Sequence, residues 1–260
     1  MKIDVFIPTI PETQEYLKLC LLGLEKNKEY INKIHIYGNK YSQENLEDLQ
    51  VLEGKCTIPT NVYINPRNMG QAIVMNEFVI NNCETEYFMI INDDMVCDKN
   101  MLKNMQFHLT NDNLPYELLC PKIVEPGTKV PVAPQFVTLD CGDDSTNFDV
   151  KKFEDYCDNA PRSYEKIREH SLPFIMRRQL YIALGGWDEN LTSGPCSDTD
   201  FYMKMDILNL NYYQDQSSFC YHFSGKASRL NPKCDFANSF QALETKNLKY
   251  LNSKWRQNGN

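Results

Sequence analysis

The stretch FMIINDDMVCD, residues 88–98, closes an apolar run with Asn92, Asp93 and Asp94. Two adjacent carboxylates at the end of a buried strand repel one another and lose solvation, so a positive partner is expected beside them. Hard divalent cations such as Mg²⁺ and Mn²⁺ meet that need, because they take one or two carboxylates together with phosphate oxygens and water. A metal ion carrying a diphosphate is the chemistry these residues suit. The simpler alternative is a turn that caps a helix, which Asn-Asp and Asp-Asp pairs make often.

Other residues of interest stand further along. Asp198 and Asp200 lie two apart where a helix begins; there they would cap it and favour its dipole. His222 is one of four histidines and follows an aromatic run, where a satisfied core histidine is the ordinary reading. Trp187, one of two tryptophans, follows Gly185-Gly186; a core side chain after a turn with positive φ is the default there. Thr9, Glu12, Asn39, Arg67 and Asn68 fall on loops that follow apolar segments.

The elements that must position these residues read as follows. IDVFIP (3–8), KIHIYGN (33–39), NVYINPRN (61–68) and YFMIIN (87–92) are strands. Leu17, Leu21 and Leu24 mark a helix after the first strand, and Ala72, Met75 and Val79 mark another after Gly70. The connection between the second and third strands reads as a loop. The alternation gives an α/β fold with a mostly parallel sheet and right-handed crossovers. Ligands of such sheets bind outside the carboxyl ends of the strands. Pro8-Thr9, Gly38-Asn39, Arg67-Asn68 and Asp93-Asp94 share that edge.

The second half is less regular. Residues 121–140 suggest strands or loops of a smaller, subsidiary sheet, and the acidic, polar stretch 139–171 reads as a mobile insertion. SDTDFYMKMDILNLN (197–211) and the segment from 236 onward read as helices, and SSFCYHFSG (217–225) reads as a last strand. No repeat or linker divides the 260 residues, so one domain is expected.

The formal net charge of −8 argues against nucleic acid or an anionic membrane as the main partner. No stretch is long and apolar enough to span a bilayer, and MKIDVFIPTI lacks the features of a signal peptide. The ten cysteines include no C-x-x-C pair, which disfavours structural zinc. Scattered reduced thiols in a cytoplasmic protein are the expectation.

With these motifs in order, the chain resembles the GT-A glycosyltransferases, and within them the large family 2 of inverting nucleotide-sugar transferases. VFIPTI is similar to the family's opening strand and turn. NPRNMGQAIVMNEFV resembles its Asn-x-Gly…Asn helix, and YFMIINDDMV its metal-binding strand, in an Asn-Asp-Asp variant of the DxD motif. LGGWDENL resembles its Gly-Gly-Phe-Asp-Glu segment, SDTDFYMKM its Glu-Asp-x-Asp helix start, and CYHFSGKAS its His-x-x-Gly-x-x-Ser close. The terminal Lys254-Trp255 is also frequent there. The resemblance covers nearly the whole chain.

It implies a Rossmann-like GT-A domain over 1–260. Residues 1–98 would form the nucleotide-sugar half, 99–235 the acceptor-side half with the insertion near 139–171, and 236–260 a C-terminal helix. It implies a divalent metal, Mn²⁺ or Mg²⁺, on Asp94 and His222, with Asn92 and Asp93 beside the donor. Thr9, Glu12, Asn39, Arg67 and Asn68 would face the nucleotide. Asp198 would be the general base that takes the acceptor proton, with Asp200 as runner-up. Trp187 would pack on the acceptor. Lys226 and Arg229 would close over the diphosphate.

The donor would be a nucleoside-diphosphate sugar and the acceptor a glycan, lipid, protein or small molecule; the acidic balance disfavours a nucleic-acid acceptor. Two alternatives remain. A nucleotidyltransferase on a similar scaffold would also use strand-end carboxylates. A non-catalytic binding protein with a decayed site would show departures such as Ser197 for the family's Glu and Asn39 for its Asp.

Overall fold

The computed structural model describes all residues except 112–116, 129–130, 164–165, 170, 192–195, 226–234 and 257–260, together with the side chains of 44, 111, 166 and 235–239. β1 (Ile3–Thr9) shows how the layers arise. Val5 and Ile7 point to one face of the strand and Phe6 to the other, and all three are fully buried. A strand apolar on both faces belongs inside a parallel sheet covered by helices. α1 (Gln14–Glu25) follows and packs Leu17, Cys20, Leu21 and Leu24 against the Val5 face.

β2 (Ile31–Asn39), α2 (Gln43–Lys55), β3 (Thr60–Asn65) and α3 (Gln71–Glu77) come next, and α3 runs on into a wider turn to Asn82. β4 (Tyr87–Ile90) then returns to the other side of β1, so β3-β2-β1-β4 lie side by side, all parallel. The reversal at β1 and β4 opens a crevice at their carboxyl ends. Where the sequence alone suggests a loop between β2 and β3, the structure has α2. Its Leu49 and Leu52 are buried in the same layer as α1, and an otherwise polar surface hides their spacing.

The remaining elements are β5 (Met95–Cys97), α4 (Met101–Asn111), β6 (Leu118–Glu125), β7 (Val137–Thr138), α5 (Val150–Asn159), β8 (Lys166–Ile167), β9 (Phe174–Arg177), α6 (Arg178–Ala183), α7 (Ser197–Ile207), β10 (Tyr212–His222) and α8 (Asp235–Arg256). The sheet continues from β4 through β9, β6, β10 and β5, with β7 added to β6 and β8 to β10. β9 runs antiparallel between β4 and β6, and β10 runs parallel to β6 and antiparallel to β5. The sheet is mostly parallel, and its second-half strands extend it edge to edge. β6 accommodates Pro121, which donates no ladder bond, where the register of β10 shifts between Asp215 and Phe219.

α1, α2 and α4 cover one face of the sheet, and α3, α6 and α7 cover the other. A third apolar cluster sits under the 139–171 segment. That segment was expected as a mobile insertion, and it holds a packed helix. Asp149 caps α5 by accepting from the Lys152 backbone N–H at 2.9 Å. Phe153 and Cys157 are buried beneath it, and the Phe148 and Phe153 rings lie 4.8 and 5.5 Å from Tyr221. The acidic outer face masks this inner stripe in the sequence. The nine described cysteines are all free, and among the described residues no helix is long and apolar enough to cross a membrane.

Candidate active site

The ladder of β4 extends one residue beyond the strand, as the Ile91 N–H donates to the Phe6 carbonyl at 3.0 Å. Asn92, Asp93 and Asp94 then turn the chain into β5, which lies against α1. Gly23 permits that approach, since a Cβ there would sit 2.8 Å from the Cys97 nitrogen. Asp93 and Asp94 are 3% and 2% exposed, at the crevice between β1 and β4.

The Thr13 hydroxyl donates to Asp93 Oδ2, and Thr9 Oγ1 lies 3.4 Å from Thr13 Oγ1. Burial, and then the charge of Asp94, push the Asp93 carboxyl up to about 7, although the two threonines pull it down. Asn92 is aimed from the other side: Gln71, opening α3, donates from Nε2 to Asn92 Oδ1 at 2.9 Å. Thr13 and Gln71 were not singled out from the sequence. Gln71 stands in the quoted helix motif, and Thr13 closes the turn after β1.

His222 reaches Asp94 through strand register. In the antiparallel pair of β10 and β5, His222 stands opposite Met95, and the Phe223 N–H donates to the Asp94 carbonyl at 3.1 Å. His222 Nε2 then lies 3.7 Å from Asp94 Oδ2. Its Nδ1 lies 2.7 Å from Glu125 Oε1 at the end of β6, a third residue the sequence did not reveal.

One carboxylate oxygen from the turn before β5 and one imidazole nitrogen at the end of β10 make a donor set that a divalent ion such as Mn²⁺ can take. Among the described residues no three His, Cys, Asp or Glu side chains converge on one point.

The loops at this edge are tied together. The Glu12 and Lys40 side chains approach to 3.6 Å between the turns after β1 and β2. Asn39 Oδ1 accepts from the Met69 N–H at 3.2 Å, and the Lys40 N–H donates to the Arg67 carbonyl at 3.4 Å. Asn68 Oδ1 accepts from the Gly70 N–H at 3.0 Å, which makes it a turn former ahead of α3. Arg67 and Asn68 are exposed, whereas Thr9 and Asn39 are buried.

α7 starts near the same edge. Phe201, the fifth residue of the helix, stacks on Phe174 at 6.3 Å, and Phe174 pairs with Ile90 at the end of β4. Asp198 is exposed, and its Oδ1 accepts the Thr199 N–H. Asp200 is a correction to the sequence reading. It is fully buried, with Lys254 Nζ at 2.7 Å and the Trp255 indole N–H at 3.0 Å from Oδ1, so its carboxylate anchors α8 and is not open to an acceptor.

Trp187 is a second correction: at 2% exposure, packed 6.5 Å from the Phe201 ring, it offers no face for a sugar. Asn76 on α3 holds its backbone, accepting from the Trp187 N–H at 3.0 Å and donating to the Trp187 carbonyl at 2.9 Å. Gly186, at φ 66°, leaves room for this, because a Cβ would meet Asn76 Oδ1 at 2.4 Å. Lys226 and Arg229 lie outside the described residues.

The sequence matches no protein-family model and no curated protein. Solved structures do match the fold. S. aureus TarS 1-349 has 17% identity and a TM-score of 0.58 over 94% of this chain and 69% of that one. GalNAc-T7, crystallised with UDP, GalNAc and Mn²⁺, has 14% identity and a TM-score of 0.62 over 85% of this chain and 43% of that one. The mannosyltransferase PcManGT from Pyrobaculum calidifontis, in complex with GDP-Man and Mn²⁺, has 13% identity and a TM-score of 0.61 over 98% of this chain and 64% of that one. The chain thus spans less than two thirds of the latter two. At these identities the likeness establishes the fold, which is GT-A.

Proposed function

We propose that this GT-A chain is a metal-dependent glycosyltransferase that moves a sugar from a nucleoside-diphosphate donor to an acceptor hydroxyl with inversion. The observation that carries the reading is the meeting of Asp94, in the turn beyond β4, and His222, at the end of β10, 3.7 Å apart in space and 128 residues apart in sequence (222 less 94). It is supported by the complexes of its structural neighbours: TarS with UDP and with UDP-GlcNAc, and two others with a nucleotide and Mn²⁺.

Asp94 and His222 would hold Mn²⁺, or Mg²⁺. The bound ion would offset charge growing on the leaving diphosphate. Asp93, buried and held by Thr13, stands beside the donor, and Asn92 presents its amide there under the control of Gln71. Thr9, Glu12, Asn39, Arg67 and Asn68 form the nucleotide-facing rim in residues 1–98. Asp198, exposed at the start of α7, takes the proton from the acceptor hydroxyl as its oxygen attacks the anomeric carbon. Attack opposite the nucleotide inverts that centre. The acceptor, a glycan, lipid, protein or small molecule, would enter from the 99–235 side.

The test is nucleoside-diphosphate release from a panel of UDP-, GDP-, CDP- and ADP-sugars with Mn²⁺, Mg²⁺ or EDTA. Slow metal-dependent release from one donor is expected. It should fall to background in Asp94→Asn and about 10²-fold in Asp198→Asn. No release from any donor, with thermal stability unmoved by metal plus nucleotide, would favour a decayed, non-catalytic site. Pyrophosphate release from a nucleoside triphosphate would favour nucleotidyl transfer.

A further inference from the structure

We infer that Glu125 is the positioning residue of the metal site, fixing the tautomer and orientation of His222; the inference rests on the metal reading above. The Glu125 side chain is 8% exposed, and its Oε1 lies 2.7 Å from His222 Nδ1. A carboxylate accepts a hydrogen bond, so Nδ1 carries the proton; in the neutral imidazole Nε2 then has the lone pair. Nε2 is the nitrogen that faces Asp94 Oδ2 at 3.7 Å. An imidazole binds a metal through its unprotonated nitrogen, and a carboxylate on the far nitrogen both selects that form and makes it more basic. The opposite tautomer would set a lone pair against the Glu125 carboxylate and turn an N–H into the crevice.

Glu125 is itself held from two sides. β6 and β10 run parallel with Val124 beside Tyr221, which brings the next residues, Glu125 and His222, together. The Glu125 carbonyl accepts the Leu139 N–H at 2.9 Å, and Glu125 pairs with Thr138 of β7. The Glu125 backbone is thus fixed by the sheet, and Nε2 is the nitrogen of His222 that faces Asp94.

The test is Mn²⁺ binding by electron paramagnetic resonance, with the ion alone and with UDP, GDP, CDP or ADP, on wild type, Glu125→Gln and His222→Ala. The ¹⁵N pattern of the metal-free histidines accompanies it; with four in the chain, His222→Ala assigns the resonance. In Glu125→Gln we expect Mn²⁺ affinity to fall about 10- to 100-fold and the single Nδ1–H tautomer of His222 to become a mixture. Nucleotide binding in EDTA should be unchanged. Glu125→Asp, which withdraws the carboxylate by one methylene, carries the same readouts if the Gln variant does not fold. Wild-type Mn²⁺ affinity and tautomer in these variants, with binding lost in His222→Ala, would overturn the role of Glu125 and leave the metal site standing. Equal Mn²⁺ binding by wild type and His222→Ala, or none by either, would overturn the metal reading at His222 and the inference with it.

Discussion

Asp188 and Asp200 meet a lysine and an indole, whereas Asp93 and Asp94 meet hydroxyls, an imidazole and each other. At the first pair, Lys254 Nζ lies 2.6 Å from Asp188 Oδ2 and 2.7 Å from Asp200 Oδ1. Trp255, Tyr250 and Lys204 add donors around it. Burial would raise the Asp188 carboxyl, but Lys254, Asn190 and Tyr250 override it and hold the group down to about 2. At the second pair, burial and the neighbouring charge push Asp93 up to about 7. The same residue type serves opposite ends. One pair is neutralised from within and fastens α8 to α7. The other places two carboxyl groups together at a crevice, and Asp93 answers by holding its proton to a higher pH.

The largest effect expected from this contrast is in Asp94→Asn, which should abolish metal-dependent nucleoside-diphosphate release while leaving thermal stability equal or higher. Sites built for function commonly gain stability when relieved of like charge. A fall in melting temperature as large as that of an α8 variant would erase the distinction.

Next comes Lys254→Met, which strands Asp200 without its closest cation. Urea unfolding should show a loss on the order of 2–4 kcal/mol, toward the lower end because Lys254 is 22% exposed. The double variant Asp200→Asn/Lys254→Met should recover part of it. No recovery would mean that packing of the lysine stem, and not its charge, holds α8.

Asn76→Ala removes both backbone bonds to Trp187 and should cost about 1–3 kcal/mol, measured by the same unfolding, with Mn²⁺ binding kept. Loss of binding would show that α3 carries strain to Asn92 through Gln71.

The smallest effect is in pH. Asp188 lies below its ordinary value of 3.8 in the fold, so its contribution is fully present above 3.8 and fades as pH falls toward about 2. The stability gap between wild type and Lys254→Met should narrow over that window. A gap independent of pH from 5 to 2 would remove Asp188 from the account.

Local pattern made much of this legible. The doubly apolar β1, the Leu17–Leu21–Leu24 spacing and the apolar run before Asp93 each declare their own burial, so the α/β order of the first half followed. The position of Asp93-Asp94 at a strand end followed from the same run. The segments misread were those whose apolar stripe is thin among charges: Leu49 and Leu52 in α2, and Phe153 and Cys157 in α5. The roles expected of Asp200 and Trp187 did not survive burial, because residue type and spacing say nothing about which side chain a distant helix will cover.

What the sequence determined alone is therefore the set of elements and the residues at their ends, since hydrophobic period and turn chemistry act within a few residues. Tertiary structure decided the partners. Glu125 and His222 are 97 residues apart, and Thr13 and Asp93 are 80. Each pair meets only because strand order and register bring the ends of β6 and β10, or of β1 and β4, side by side. A register slip of one residue would point each side chain to the opposite face, and the cooperative packing of the whole sheet is what forbids it.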